Sequence, residues 1–151
     1  MKRAIILSAF LLISCFANAQ QIDQLTSWKF NFANQNFNVG DEVELVFTTS
    51  IEKGWSLYSS DFNADIGPQP TTFLFAENGS FEFGGKITPI SPLKKTDKNW
   101  GTEVSYFTQK AEFRAKVRIV EHSFDIFGSI KGQVCHDKKG ICIPFEKTFQ
   151  F

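Results

Sequence analysis

Apolar and polar side chains alternate along much of this chain, most clearly from Ala111 to Ile119. There Ala111, Phe113, Ala115, Val117 and Ile119 interleave with Glu112, Arg114, Lys116 and Arg118. A period of two places the apolar set on one face, the pattern of a strand with one side in a core and the other in water. Trp28, Phe30 and Phe32 follow it within Ser27 to Phe32, and Val43, Leu45 and Phe47 within Glu42 to Thr48. Shorter strands are expected at Trp55 to Ser59, Thr71 to Ala76, Ser80 to Phe83, Val104 to Thr108, Phe124 to Cys135 and Phe145 to Phe151. Val39-Gly40-Asp41, Glu77-Asn78-Gly79, Gly84-Gly85 and the prolines Pro68, Pro70, Pro89 and Pro92 punctuate them as turns.

No stretch of ten or more residues carries a helical period, and no internal repeat or low-complexity linker interrupts the pattern. Many short strands with frequent turn signals predict an all-β chain folded as an immunoglobulin-like antiparallel β-sandwich. With 18 phenylalanines, mostly at strand positions, the core is expected to be aromatic.

The first nineteen residues break the pattern. Met1-Lys2-Arg3 is a positive start, Ala4 to Phe16 is almost wholly apolar, and Ala17-Asn18-Ala19 is a small-x-small cleavage site. Residues 1–19 therefore read as a signal peptide and residues 20–151 as one exported domain, with enough chain for a core of its own. Leu12-Ile13-Ser14-Cys15 also resembles a lipoprotein box, which would leave Cys15 as a lipidated N-terminus. Loss of Lys2 and Arg3 from 16 basic residues set against 16 acidic ones leaves a net charge of about −2. That balance argues against nucleic acid or an anionic membrane surface as partner, and no later segment is apolar enough to span a membrane.

In the exported chain two cysteines remain, Cys135 and Cys142, separated by the polar, glycine-bearing segment His136-Asp137-Lys138-Lys139-Gly140-Ile141. An apolar run precedes them and Pro144 follows, so the segment reads as a loop joining two strands with a thiol at each foot. From the residues alone, a structural staple and a reactive pair both stay open. A domain of this size needs no staple, and a link between neighbouring strands restricts the unfolded chain little. A polar loop leaves the sulfurs reachable by another thiolate. Metal binding is disfavoured: the cysteine spacing is not a usual zinc spacing, the histidines His122 and His136 complete no set, and the sole methionine, Met1, leaves no axial copper ligand. No cofactor is expected.

Three segments, in order, carry a resemblance: Lys53-Gly54-Trp55-Ser56-Leu57-Tyr58, Asp97-Lys98-Asn99-Trp100-Gly101, and Val134-Cys135 through Cys142-Ile143-Pro144. Over most of residues 25–151 the chain resembles the N-terminal periplasmic domain of the thiol:disulfide interchange protein DsbD. The resemblance implies an exported, periplasmic domain whose cysteines cycle between dithiol and disulfide. It implies a membrane-embedded or thioredoxin-like donor and oxidised exported proteins as clients, both separate proteins here. Cys142 would form the mixed disulfide and Cys135 resolve it. Asp97, Asn99, Trp100 and Gly101 would form a cap over the pair, with Tyr58 beside it. The sequence departs from the family pattern at Asn99, where the cap aromatic is usual, at Lys98 for an acidic residue, at Ser56 for a second tyrosine, and in a slightly longer cysteine spacing. The alternative to a redox carrier is a non-catalytic secreted binding or structural module with a structural disulfide.

Overall fold

The structure, a computed structural model, describes residues 22–62, 67–97 and 101–151. A single helical turn over residues 22–25 leads into ten strands: β1 (Thr26–Phe32), β2 (Glu42–Ile51), β3 (Trp55–Tyr58), β4 (Thr72–Phe75), β5 (Phe81–Pro89), β6 (Leu93–Thr96), β7 (Glu103–Thr108), β8 (Lys110–Ile119), β9 (Phe127–His136) and β10 (Cys142–Gln150). They form two antiparallel sheets, one ordered β1-β2-β8-β5 and the other β10-β9-β3-β7-β6. In the second sheet β4 pairs the far half of β9, along the same edge that β3 uses nearer the hairpin. The predicted β-sandwich is the observed fold. The signal-peptide reading falls on residues outside those described.

The alternation in β8 is realised in full: Ala111, Phe113, Ala115, Val117 and Ile119 are buried and face the second sheet. Aromatic rings fill the space between the sheets. Phe47 is fully buried and meets Phe73 of β4 at 5.0 Å and Phe149 of β10 at 5.1 Å, while Phe113 meets Phe107 of β7 at 5.3 Å. Edge-to-face contacts of this kind add to the apolar area that each ring removes from water. The opposite face of the first sheet is charged, with Lys116–Glu42 at 2.7 Å and Arg114–Glu44 at 2.8 Å across the β2–β8 pairing. Such exposed pairs favour register and solubility more than stability.

Two elements differ from the expected ones. Strand β5 continues beyond Phe83 through Gly84-Gly85, a turn signal in the sequence, and ends at Pro89. Its pairing with β8 shifts register between Phe83 and Ile87, so the two glycines form a bulge rather than a break, and Gly85 adopts φ 74°. Strand β6 has no counterpart among the expected strands. Leu93-Lys94-Lys95-Thr96 has no apolar period and forms an edge strand on β7, where backbone pairing rather than core burial makes the strand.

Phe47 contacts rings from both sheets, so truncating it removes the most shared piece of the core. Phe47→Ala is expected to cost about 3–5 kcal/mol of unfolding free energy in chemical denaturation.

Candidate functional site

The second sheet is buried on both sides at one end. Along β3 (Trp-Ser-Leu-Tyr), Leu57 is fully buried in the inter-sheet core, yet Ser56 and Tyr58, pointing the other way, are also buried. Cross-strand pairing extends this outer face: Ser56 lies opposite Cys135, Tyr58 opposite Tyr106, and Lys95 opposite Val104. Tyr58, Val104 and Cys135 make a small apolar cluster with Phe62 and Tyr106, separate from the main core. The outer face of the sheet therefore carries a second, local core, and the two cysteines lie at its edge.

Cys135 and Cys142 face each other directly across the β9–β10 hairpin, with Cα atoms 4.1 Å apart, and are joined by a disulfide. The next pair toward the tip, His136 and Ile141, is hydrogen-bonded (N to O 2.8 Å), so the cysteines occupy a non-hydrogen-bonded position, where side chains come closest. The two sulfurs differ in access. Cys135 is 7% exposed, whereas Cys142, on the edge strand, is exposed. Gln133 directs its Nε2 to Cys135 Sγ at 3.7 Å, a weak donor on the buried sulfur alone.

The loop tip is tied down on its β3 side. Asp137 donates its backbone N–H to Gly54 O at 2.9 Å, and Ser56 Oγ donates a short hydrogen bond to Asp137 Oδ1. Within the tip, His136 Nδ1 accepts from the N–H groups of Lys138 and Lys139 at 3.2 and 3.3 Å, and its ring packs edge-on against Trp55. Gly140 closes the turn at φ 64°, a backbone conformation that L side chains rarely adopt.

Next to the disulfide is an open cavity of about 410 Å³ whose walls include Tyr58, Lys95, Asp97, Cys135, Asp137 and Cys142. Asp97 is 7% exposed and accepts a hydrogen bond from Tyr58 Oη at 3.1 Å. Burial, then the negative charge of Asp97 and its hydrogen bond, then the charge of Asp137 raise the Tyr58 phenol well above its usual range. Asp97 stands at the base of the β6–β7 connection, which is closed by Asp97 N–Thr102 O at 2.9 Å and Gly101 N–Asp97 O at 2.7 Å.

Of the expected site residues, the structure brings Cys135, Cys142, Tyr58 and Asp97 to one cavity and sets Gly101 on the connection rooted at Asp97. Lys98, Asn99 and Trp100 lie outside the described residues. His122 sits in the bend between β8 and β9 and does not line the cavity. Ser56, noted in the sequence only for the absence of a tyrosine, holds the cysteine loop through Asp137 from 81 residues away. Lys95 lies on a strand without an apolar period, so no local sequence signal marks it.

A β-sandwich with a half-exposed hairpin disulfide beside a cavity on its outer face has the features of a thiol:disulfide interchange domain. The family of the thiol:disulfide interchange protein DsbD, N-terminal, matches residues 23–151, and the chain belongs to it. Among solved structures, it is similar to the reduced N-terminal domain of DsbD from Neisseria meningitidis, at 16% identity and TM-score 0.51, covering 75% of this chain and 78% of that one. It is similar to the N-terminal periplasmic domain of ScsB from Proteus mirabilis, at 13% identity and TM-score 0.58, covering 84% of this chain but only 46% of that one. A third likeness, at 12% identity and TM-score 0.50, covers 82% of this chain and 81% of a chain from the complex between the DsbD and PilB N-terminal domains of Neisseria meningitidis. At these identities the likenesses establish the fold. No curated protein matches the sequence.

The Tyr58–Asp97 contact has a titration signature. A neutral phenol is favoured in the fold, so its stabilisation is complete below pH ~10, the ordinary phenol value, and declines as pH rises from there toward the raised native value. Phenolate absorbance of the native protein is expected to show a component above the ordinary range that Tyr58→Phe removes, together with a loss of about 1 kcal/mol at neutral pH for the missing hydrogen bond.

Proposed function

We propose that this domain relays reducing equivalents through a reversible Cys135–Cys142 disulfide, taking them from a membrane-embedded or thioredoxin-like donor and passing them to oxidised exported proteins. The observation that carries the reading is the asymmetry of the pair: one sulfur exposed on an edge strand beside an open cavity, the other buried behind it. In-line attack by a thiolate needs access to one sulfur of a disulfide and a leaving thiolate at the other.

Loading begins when a donor thiolate attacks the Cys142 sulfur, forming a mixed disulfide and expelling Cys135 as thiolate. The donor's second thiolate then attacks its own sulfur in that mixed disulfide. The donor leaves as a disulfide, and the domain keeps two electrons as a dithiol after proton uptake. Delivery reverses the roles. Cys142 thiolate attacks the client disulfide and releases one client thiolate. Cys135 thiolate then attacks Cys142, restoring the hairpin disulfide and freeing the second client thiolate. The domain thus needs no cofactor, only two partners that dock in turn on the same edge.

Family resemblance assigns the connection from Asp97 to Gly101, with Asn99 and Trp100 at its tip, to a cap that shields Cys142 until a partner displaces it. The rooting of that connection at the cavity wall supports this reading. Export to the periplasm after removal of residues 1–19 completes the proposal. It is supported by the apolar leader and by the periplasmic origin of the ScsB domain.

The reduction potential of the pair in thiol redox buffers is the direct test. A value in the range of exchange proteins, roughly −270 to −120 mV, is expected, and one below about −300 mV would instead mark a structural staple and a binding module. Cys142→Ser is expected to abolish thiol transfer while costing no more than the roughly 2–3 kcal/mol that so short a cross-link can contribute. Trp100→Ala is expected to speed alkylation of reduced Cys142; an unchanged rate rejects the cap.

A further inference from the structure

Lys95 occupies an unusual setting for an edge-strand lysine. Its neighbour Lys94 reaches Glu103 at 3.3 Å, a largely exposed pair. Lys95 turns to the other face of the strand, where its Nζ lies 4.4 Å from the centre of the Tyr106 ring and 5.5 Å from that of Tyr58. Among the described residues it makes no ion pair, so the two rings hold the ammonium in place without cancelling its charge. The same side chain lines the cavity that Cys142 and Cys135 line.

The other charged groups on that cavity are already engaged. Asp97 accepts from Tyr58, and Asp137 accepts from Ser56. His136 is turned toward the backbone of its own loop and the face of Trp55. Two carboxylates beside a sulfur oppose its ionisation, and a fixed ammonium on the same wall offsets them. Lys95 is part-buried on that cavity, and salt screens a partly buried charge less than an exposed one.

We infer that Lys95 is a positioning residue of the redox site, held by Tyr58 and Tyr106 so that its ammonium stabilises the Cys142 sulfur whenever that sulfur carries negative charge. The inference rests on the reading of Cys135–Cys142 as an exchanging pair. Stabilising the thiolate favours the dithiol over the disulfide, and it makes Cys142 a better leaving group when a mixed disulfide is resolved. A domain whose carboxylates alone faced the sulfur would hold its disulfide more tightly and surrender electrons more readily. Lys95 shifts this balance toward accepting them.

The test follows alkylation of the reduced full chain by iodoacetamide across pH, with modification at Cys142 read by peptide mass. Lys95→Met keeps an unbranched side chain one atom shorter that can still lie over the rings, but removes the charge. It is expected to move the midpoint of the Cys142 profile upward by about one pH unit, as for loss of one nearby opposite charge, and to lower the reduction potential of the pair. Lys95→Arg restores the charge over the rings and is expected to return both toward wild type. A Lys95→Met midpoint equal to wild type overturns the inference, as does an equal shift in Lys95→Met and Lys95→Arg, which would mark a packing effect. Lys95→Gln, whose side chain is of similar reach but polar, replaces the methionine variant should that one fail to fold. Thiol exchange by the wild-type chain with thioredoxin is measured alongside. Absence of exchange with a normal Lys95 effect rejects the carrier reading, whereas normal exchange with no Lys95 effect rejects only the role of Lys95.

Discussion

Everything at this site depends on the two-residue period of strand β3 and its neighbours. Leu57, Val134 and Phe107 face the inter-sheet core and are buried there. Ser56, Tyr58 and Cys135 must then face outward, because successive side chains in a strand point to opposite sides. On most of an antiparallel sheet that outer face meets water. Here it meets a second apolar cluster, and the same four-residue strand serves both layers. A one-residue slip of β3 against β9 would exchange the layers, placing Ser56 in the main core and Leu57 beside the cysteines. The main core thus fixes the register of the cysteine site without sharing a side chain with it.

That separation would let the disulfide open and close without loss of the fold. The hairpin it bridges is already held by nine residue pairs between β9 and β10, and by rings such as Phe145 and Phe149 on the inner face. A cross-link between adjacent paired strands removes little freedom that the fold has not removed already. The tip is restrained independently of the disulfide through Ser56 and Gly54, contacts that do not involve the sulfurs. Preorganisation of this kind lets the second thiol resolve a mixed disulfide without a search.

The legible parts of the sequence were those in which a face is uniformly apolar or a residue type is rare. Strand β8 alternates without exception, and Cys135 and Cys142 flank a single polar loop. Strand β6 was illegible because its residues alternate between water and a small local cluster, which leaves no apolar period. The run of β5 through Gly84-Gly85 was hidden because two glycines mark a turn and a bulge alike, and only the partner strand distinguishes them. Links such as Ser56–Asp137 and Tyr58–Asp97 join polar residues far apart in the chain, so no local pattern records them. The family resemblance supplied Tyr58 and Asp97; nothing local supplied Lys95.

The charges around the cavity follow from the same geometry. A buried phenol beside a carboxylate stays neutral and donates to it, which fixes Asp97 at the wall as an acceptor. Asp137 is fixed likewise by Ser56 at the foot of the loop. Two anions on the cavity wall would make a thiolate there costly, and the proposed carrier role needs a thiolate at its working pH. A cation is therefore the missing complement. Lys138 and Lys139 are exposed on the loop tip and do not line the cavity. The edge strand that left no trace in the hydrophobic pattern provides it, because pairing with β7 places Lys95 opposite Val104 and over the two tyrosine rings.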